Sequence, residues 1–469
     1  MGNRTNKGKG AVALGWPGRR NTADVLGRSA DTASRPRPLE HYPGDGTGPG
    51  MLFHGDNAEA AAALLGTHRG RLDLIYVDPP FCANAARSAR VLVGQGNTPC
   101  RVDVPAYEDR WEGGLADYLD MLHPRLVLFR ELLSDTGSLF VHVDWRTAGY
   151  VRVLLDEVFG MGAAAGGGPG FRNAIAWCYS GGGIPRNELP RKHDTVFWYT
   201  KTDRWTYNPV YRPYTPGTVG RGRTAVKGGN AALRPQGTPV CDWWADVKRI
   251  ASPTDREKLY YPTQKSEELL ARIISMCSDP GGLVADFFCG SGTTPAVAAR
   301  LGRRWIAADA GALAVQVTRK RMLETGSLLE RGGMPAPGFD VFRAGPEQDP
   351  DAEPVLEASA RRTDDGRAVQ VSIEGFQPVL PGPLRGEPDL SGHSKNAGFD
   401  YLELWSVDMA PGDTTKPHKS SWCAWRRGRD NLLADSVEIA APNACPREVE
   451  ILGVDVFGNR RVTRCGIDV

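Results

Sequence analysis

The chain is poor in the features that mark export, membrane insertion and metal binding. Its nine cysteines include no Cys-x-x-Cys pair, which excludes both a zinc site of paired thiolates and a disulfide framework. His54, His68, His123, His142, His193 and the other histidines lack metal-ligand spacing, so no metal is expected. Apolar stretches are broken by charges before they could cross a bilayer, and the N-terminus lacks the order of a signal peptide. A soluble, cytoplasmic protein without a membrane partner is expected. A dominant charge is missing too: the net charge is +2 at pH 7, so affinity for a polyanion has to come from local patches.

Residues 1–48 have few aliphatic side chains to offset ordering entropy and read as a disordered tail, with Arg4, Lys7, Lys9, Arg19 and Arg20 solvated. Order is expected from Met51–Asp56 onward, a short strand followed by an alanine-rich helix over Ala58–Leu65. The apolar run Leu72–Val77 then reads as a buried strand ending in Asp78. Strand, helix and strand at these lengths imply a right-handed crossover in a parallel sheet, an α/β fold that binds ligands at the carboxyl ends of its strands. A helix over Leu115–Leu133, a strand over Ser138–Val143, a helix to Phe159 and strands Ala174–Trp177 and Thr195–Tyr199 continue it.

Periodicity fails over residues 202–259, where Trp205, Tyr207, Tyr211, Tyr214, Trp243 and Trp244 interleave with arginines and lysines, including Lys227. Aromatic faces for bases and cations for phosphates suit nucleic acid. A loop-rich insertion with core aromatics is the equal alternative. A helix from Lys265, strands Gly282–Asp286 and Arg304–Asp309, and the helices between and after them complete the sheet. Residues 331–357 read as a linker, and 358–469 as a small β-rich domain.

Gly290-Ser291-Gly292 lies between a strand and a helix, with Asp309 at the end of the next strand. Glycines allow close approach of a ligand, and Asp309 can accept hydrogen bonds from two ribose hydroxyls. A third glycine at dinucleotide spacing is missing, as is a Gly-Lys-Thr/Ser phosphate loop. A nucleoside without pyrophosphate, such as S-adenosylmethionine, fits better.

Asp78-Pro79-Pro80-Phe81 carries different chemistry. The exocyclic amine of adenine or cytosine is a poor nucleophile because its lone pair is delocalised into the ring. A carboxylate (Asp78) and a carbonyl (Pro79) that accept its two hydrogens favour a pyramidal nitrogen, and Phe81 offers a face for an extruded base. Proline fixes φ, so Pro79 and Pro80 make the turn rigid.

From about Phe53 to Met322 the chain resembles the permuted β class of DNA amino-methyltransferases, which form N6-methyladenine or N4-methylcytosine. The resemblance rests on Gly55-Asp56, Asp78 to Phe81, Lys192-His193-Asp194, Tyr261 to Lys265, and Asp286 to Thr294, in that order. It implies a circularly permuted, Rossmann-like sheet split into a catalytic half (49–201) and a cofactor-binding half (260–330), with 202–259 as the inserted target-recognition region. It also implies that Asp56, Lys265, Asp286, Phe288, Gly290, Gly292, Thr293 and Asp309 line the S-adenosylmethionine site. The implied substrate is double-stranded DNA with its target base flipped out. A restriction or defence-system subunit and a second copy of the chain are the implied partners. Members with Asp-Pro-Pro-Phe usually methylate adenine, and N4-cytosine enzymes tend to carry Ser-Pro-Pro-Trp, so adenine is expected. The chain departs from the class at Cys82, where Asn is common, and at Asp309-Ala310-Gly311.

Four alternatives remain in view, of which a methyltransferase acting on RNA or on protein glutamine is disfavoured because glutamine enzymes generally carry Asn where Asp78 stands. N4-cytosine methylation would use the same carboxylate. A catalytically silent DNA-binding subunit would not need Asp78 and the glycine turn together. A C5-cytosine enzyme would need a nucleophilic cysteine after proline, and Pro99-Cys100 reads as part of a Gly/Arg-rich loop far from any strand end.

Overall fold

The computed structural model describes residues 12–32, 34–45, 48–94, 100–181, 183–226, 229–252, 255–346, 353–381, 397–413, 415–427, 431–442 and 446–468. Arg4, Lys7, Lys9, Pro99 and Lys227 lie outside them. The N-terminal part runs α1 (Thr22–Thr32), β1 (Arg37–Tyr42), β2 (Gly50–His54), α2 (Asn57–His68), β3 (Leu72–Val77), β4 (Ala85–Val93), β5 (Cys100–Asp109), α3 (Leu115–Leu132), β6 (Leu133–Val143), α4 (Ala148–Phe159), β7 (Gly170–Cys178) and β8 (His193–Thr200). Short elements follow: β9 (Tyr211–Arg212), α5 (Pro216–Arg221), β10 (Arg223–Val226), β11 (Gly229–Ala232), β12 (Thr238–Pro239) and β13 (Trp243–Trp244). Then come α6 (Glu267–Cys277), β14 (Leu283–Asp286), α7 (Thr293–Arg300), β15 (Arg304–Asp309), α8 (Ala312–Arg331) and β16 (Phe339–Arg343).

These strands build most of an 11-stranded sheet in the order β13-β7-β8-β6-β3-β14-β15-β2-β16-β1, closed at the far edge by a strand of the C-terminal domain. Residues far apart in sequence are interleaved: β14 lies between β3 and β15, parallel to both, with Val284 opposite Leu74. The central strands read as unbroken apolar runs because both faces are covered. Ile75 and Val77 pack under α2, α3 and α4, whereas Leu74 and Tyr76 face the cluster formed with α6 and α7. From β3 the sheet order moves outward to β6, and from β14 it moves the other way to β15. The crevice between their carboxyl ends is therefore a topological switch point, where open α/β sheets bind ligands.

The remaining strands are β17 (Val355–Arg362), β18 (Ala368–Gln377), β19 (Leu402–Asp408), β20 (His418–Lys419), β21 (Trp422–Trp425), β22 (Ser436–Ala440), β23 (Glu448–Asp455) and β24 (Arg460–Asp468). All but β20 form a separate seven-stranded sheet with its own core. β20 instead pairs with β1 at the edge of the main sheet.

Three expectations from the sequence need correction. The tail contains α1 and β1, and β1 is a full member of the main sheet between β16 and β20. Its stability comes from distant partners. Glu40 is completely buried and accepts hydrogen bonds from Arg319 Nε at 2.9 Å, Arg460 Nε at 3.2 Å and Tyr42 Oη at 2.9 Å. Burial alone raises its pKa, but the two guanidiniums and the Tyr42 hydroxyl outweigh that and hold the carboxyl below its usual range. The expected linker contains β16, which runs parallel to β2 and buries Phe339 and Val341. Its Pro- and Gly-rich flanks hide a strand that needs β2 as a template. Finally, Cys100 is not in a loop: it opens β5, opposite Val93 in the β4–β5 hairpin.

The hairpin joins the two domains. Gly94, just past β4, donates its N–H to Asp400 O at 3.1 Å and accepts from Asn431 Nδ2 at 2.9 Å. Buried Arg426 braces the same corner by donating to the carbonyls of Leu402, Asn431 and Phe399 at 2.6–2.8 Å. Among the described residues no helix is long and apolar enough to cross a membrane.

The Glu40 cluster gives a direct test of the corrected N-terminus. Glu40→Ala leaves the buried Arg319 unpaired, and the expected loss is about 3–5 kcal/mol in chemical denaturation. A change below about 0.5 kcal/mol, as for an exposed tail residue, would show that β1 is dispensable.

Candidate active site

The crevice at the switch point opens into a cavity of about 250 Å³. Asp78 reaches it because β3 ends at Val77, and Asp286 because it closes β14. Asp78 Oδ2 is bound by Lys265 Nζ, while Asp78 Oδ1 is buried and has no hydrogen-bond partner among the described residues. An orphaned buried acceptor is costly, and it marks a place where a ligand donor is needed. Lys265 Nζ also donates to Thr263 O at 3.2 Å and lies 5.3 Å from the centre of the Phe81 ring.

Phe81 is held from below and from behind. Its ring stacks on His142 with centroids 5.9 Å apart and planes 25° apart. His142 is itself fixed by Tyr76 Oη at 3.0 Å and by Asp194 Oδ2 at 3.1 Å, and Tyr179 Oη donates to Asp194 Oδ1 at 2.9 Å. Burial pushes the Asp194 carboxyl up, but the hydrogen bond and charge of His142 outweigh that, and its pKa lies below the usual range. Behind the loop, the buried Asp109 carboxylate accepts the amides of Phe81 at 3.2 Å, Cys82 at 2.9 Å and Ala83 at 2.9 Å, and the Trp111 indole N–H at 3.0 Å. Three consecutive amides on one carboxylate fix the backbone after Pro80.

Cys82 and Asn84 have φ of 56° and 53°, in the left-handed region where Asn is tolerated best among residues other than glycine. That accounts physically for the Asn common at the Cys82 position. Cys82 is nonetheless accommodated, with Asp109 satisfying its amide.

The glycine turn forms the opposite wall. Gly290 has φ of 48°, and a Cβ there would approach the Tyr261 ring to 3.1 Å. Asp309 Oδ2 accepts Gly290 N at 2.9 Å and Oδ1 accepts Gly311 N at 2.9 Å, which ties the end of β15 to the turn. Burial raises the Asp309 pKa. Burial also pushes Asp286 up to about 7, against hydrogen bonds from Thr294 Oγ1 and Phe288 N. Asp56 caps α2 through Ala58 N at 2.7 Å and pairs with Arg125 at 2.7 Å.

Of the twelve residues singled out in the sequence, Asp56, Asp78, Pro79, Pro80, Phe81, Lys265, Asp286, Phe288, Gly290, Thr293 and Asp309 all line this one cavity. Gly292 does not. It caps α7 with φ of 70°, and a Cβ there would lie 2.8 Å from Thr318 Oγ1. Asp109 and the His142–Asp194 pair went unassigned in the sequence. Lys192-His193-Asp194 was a visible signal, but nothing in it distinguishes the exposed His193 from the inward Asp194. Asp109 had no local signal at all.

A second cavity, of about 350 Å³, adjoins the first. The two share Phe81, Tyr261, Thr263, Gln264 and Lys265, and Trp177, Tyr179, Asp194 and Arg249 line only the second. The carboxylates of the first cavity outnumber its cations: Asp56, Asp78, Glu108, Asp109, Asp286 and Asp309 against Arg87, Arg125 and Lys265. Such a field suits a cationic ligand and opposes a pyrophosphate.

A rigid turn with an unpaired carboxylate acceptor, facing a nucleoside-type glycine turn across a parallel-sheet crevice, is the arrangement expected of a methyl-transfer protein. The sequence model of the N6/N4 DNA methylase family matches residues 72–320, more than half of the 469 residues, and the chain belongs to that family. The family takes its methyl group from S-adenosylmethionine. The chain is similar to the Type II methyltransferase M.EcaI of Enterobacter cloacae, 27% identical over 326 residues that cover 58% of this chain and 69% of that protein. It is also similar to the Type II methyltransferases M.BamHI of Bacillus amyloliquefaciens (27% identical; 56% of this chain, 55% of that one) and M.BglII of Bacillus subtilis (26% identical; 54% and 64%). The chain thus spans little more than half to about two thirds of these curated relatives. Among solved structures, the complex of M1.HpyAVI with SAM aligns with a TM-score of 0.37 at 20% identity, over 58% of this chain and 98% of that one.

Removing the Asp109 carboxylate should loosen the loop without touching the cofactor wall. Asp109→Ala is expected to slow methyl transfer about 100-fold, the scale of an ångström-sized misplacement, with cofactor affinity in calorimetry changed less than threefold, or about 0.6 kcal/mol. Cys82→Asn is expected to leave the chain as stable as before or up to about 1 kcal/mol more stable, as read by denaturant midpoint.

Proposed function

We propose that the chain transfers a methyl group from S-adenosylmethionine to the N6 amino group of adenine in double-stranded DNA. The observation that carries this reading is Asp78, which lines the cavity beside Phe81 with one carboxylate oxygen engaged by Lys265 and the other buried without a hydrogen-bond partner among the described residues. The unpaired oxygen accepts one amino hydrogen of the target base, and the carbonyl of Pro79 accepts the other, so the nitrogen lone pair is freed for attack. Phe81, steadied by His142, gives the base a stacking face, and the second cavity receives it once it is extruded. The amino proton released when the nitrogen is methylated would leave toward the Asp78 carboxylate, which already accepts it.

When bound, S-adenosylmethionine supplies an electrophilic methyl group on a sulfonium. Asp56, Lys265, Asp286, Phe288, Gly290, Thr293 and Asp309 are proposed to hold it, with Gly292 acting only through the turn. Gly290 leaves room that a Cβ would fill, and the excess of carboxylates suits the cofactor's cationic groups. Adenine is assigned over cytosine on Phe81 after Asp-Pro-Pro, and N4-cytosine transfer would use the same acceptors.

Residues 202–259 are proposed to select the DNA sequence. In this region Trp244 is core and Trp205 stacks on Arg172 at 3.8 Å, while Trp243 and Tyr207 are exposed. The relatives' Type II class favours a modification role beside a restriction nuclease on a separate chain.

Two measurements test the mechanism. Asp78→Ala should abolish methyl transfer while cofactor binding persists; retained activity would rule out the proposed acceptor. The second is pH dependence. A carboxyl raised to about 7 in the fold contributes stability that is fully present below the unfolded value of about 4 and is lost as pH rises through 7. A cationic ligand favours the ionised form, so cofactor affinity should rise about fivefold between pH 6 and 7.5. In Asp286→Asn the rise should be smaller than in the wild type.

A further inference from the structure

The connection from Cys178 to His193 is longer than its hairpin requires. Its base is closed by Tyr179 N donating to Lys192 O at 2.9 Å. Both feet of the loop are built into the proposed base pocket: Tyr179 and Asp194 line the second cavity and bond to each other. Farther out, Ile184 and Leu189 are 84% and 87% exposed, higher values than those of the other large apolar side chains found exposed among the described residues. Neither belongs to any hydrophobic core cluster. Arg191 is held by a two-pronged pair with Glu188 at 2.6 and 2.7 Å and lies 4.0 Å over the half-exposed ring of Trp145.

We propose that this loop is the wedge that enters duplex DNA when the target base leaves the stack, with Ile184 and Leu189 filling the space the base vacates. The inference rests on the DNA reading above and names the surface that serves it. Apolar side chains held in water on a loop rooted in a base pocket gain a dry environment only against something apolar, and the interior of a base stack offers one. The surrounding charge matches the same partner: Arg186, Arg191 and Lys192 outnumber Glu188 in the loop, and Arg249 stands over Tyr179 at 5.2 Å. An acidic protein surface would satisfy the cations but would leave the two apolar tips without an apolar environment.

The test compares one plasmid in native and heat-denatured form, using the full chain and labelled S-adenosylmethionine. Ile184→Ala/Leu189→Ala should methylate the native duplex about tenfold or more slowly and the denatured strands within about twofold of the wild type, because single strands need no wedge. Ile184→Leu alone should keep the wild-type duplex rate, because an apolar tip of similar size remains. If the wild type ignores denatured DNA, the same comparison is made on duplexes with an abasic site opposite the target, where the deficit should shrink to about twofold. An unchanged duplex rate overturns the wedge, and so does an equal loss on both substrates. A wild-type chain inactive on every substrate overturns the methyltransferase reading itself, and the wedge falls with it.

Discussion

Everything in the site depends on the pairing of β14 against β3, two parallel strands whose residues lie more than 200 positions apart: Val284 opposite Leu74 and Ala285 opposite Ile75. Parallel strands present their carboxyl ends at the same edge, so one alignment brings the Asp78 turn and the Asp286 turn to one crevice. Both strands are buried on both faces, and a register slip would move whole side-chain sets into the wrong layer. The register is thus fixed by the core. The chemistry inherits its geometry from that packing rather than from the loops alone.

The loop after Asp78 then needs fixing in detail, and the fold does this through a chain of contacts that crosses both domains. The C-terminal domain grips the tip of the β4–β5 hairpin at Gly94 through Asp400, Arg426 and Asn431. Val93 and Val102 of the hairpin pack with Val456 and Phe457. The other end of β5 is Asp109, whose carboxylate holds the amides of Phe81, Cys82 and Ala83. The β-rich domain is accordingly part of the scaffold of the active site. Its second attachment, through Arg460 to buried Glu40, fastens it to β1 and α8 at the other side of the sheet.

Much of this was legible in the sequence, for identifiable reasons. Leu72–Val77 and Arg304–Asp309 match observed strands because doubly covered parallel strands are written as apolar runs. Asp78 to Phe81 and Asp286 to Thr294 stood out because proline and glycine restrict or free the backbone independently of context. What stayed hidden depends on distant partners. Arg37–Tyr42 carries two charges and a proline in six residues, and reads as a strand only once Arg319 and Arg460 are known to meet Glu40. Phe339–Arg343 lies among Pro and Gly, and its strand character comes from β2. Asp109 looks like any acidic residue until the hairpin brings it behind Phe81. The aromatic and basic stretch 202–259 was ambiguous for the same reason, and it proves mixed, with Trp244 in the core and Trp243 exposed.

The central claim is that Asp78, Pro79 and Phe81 prepare an exocyclic amine of adenine for methylation. It is tested most directly by incubating the chain with labelled S-adenosylmethionine and mixed-sequence bacterial DNA, digesting the product to nucleosides and separating them by mass spectrometry. Label in N6-methyldeoxyadenosine is the result this account predicts. Label in 5-methyldeoxycytidine, a carbon that needs no amino-hydrogen acceptor, would contradict it, as would the absence of label from DNA under conditions in which the cofactor binds.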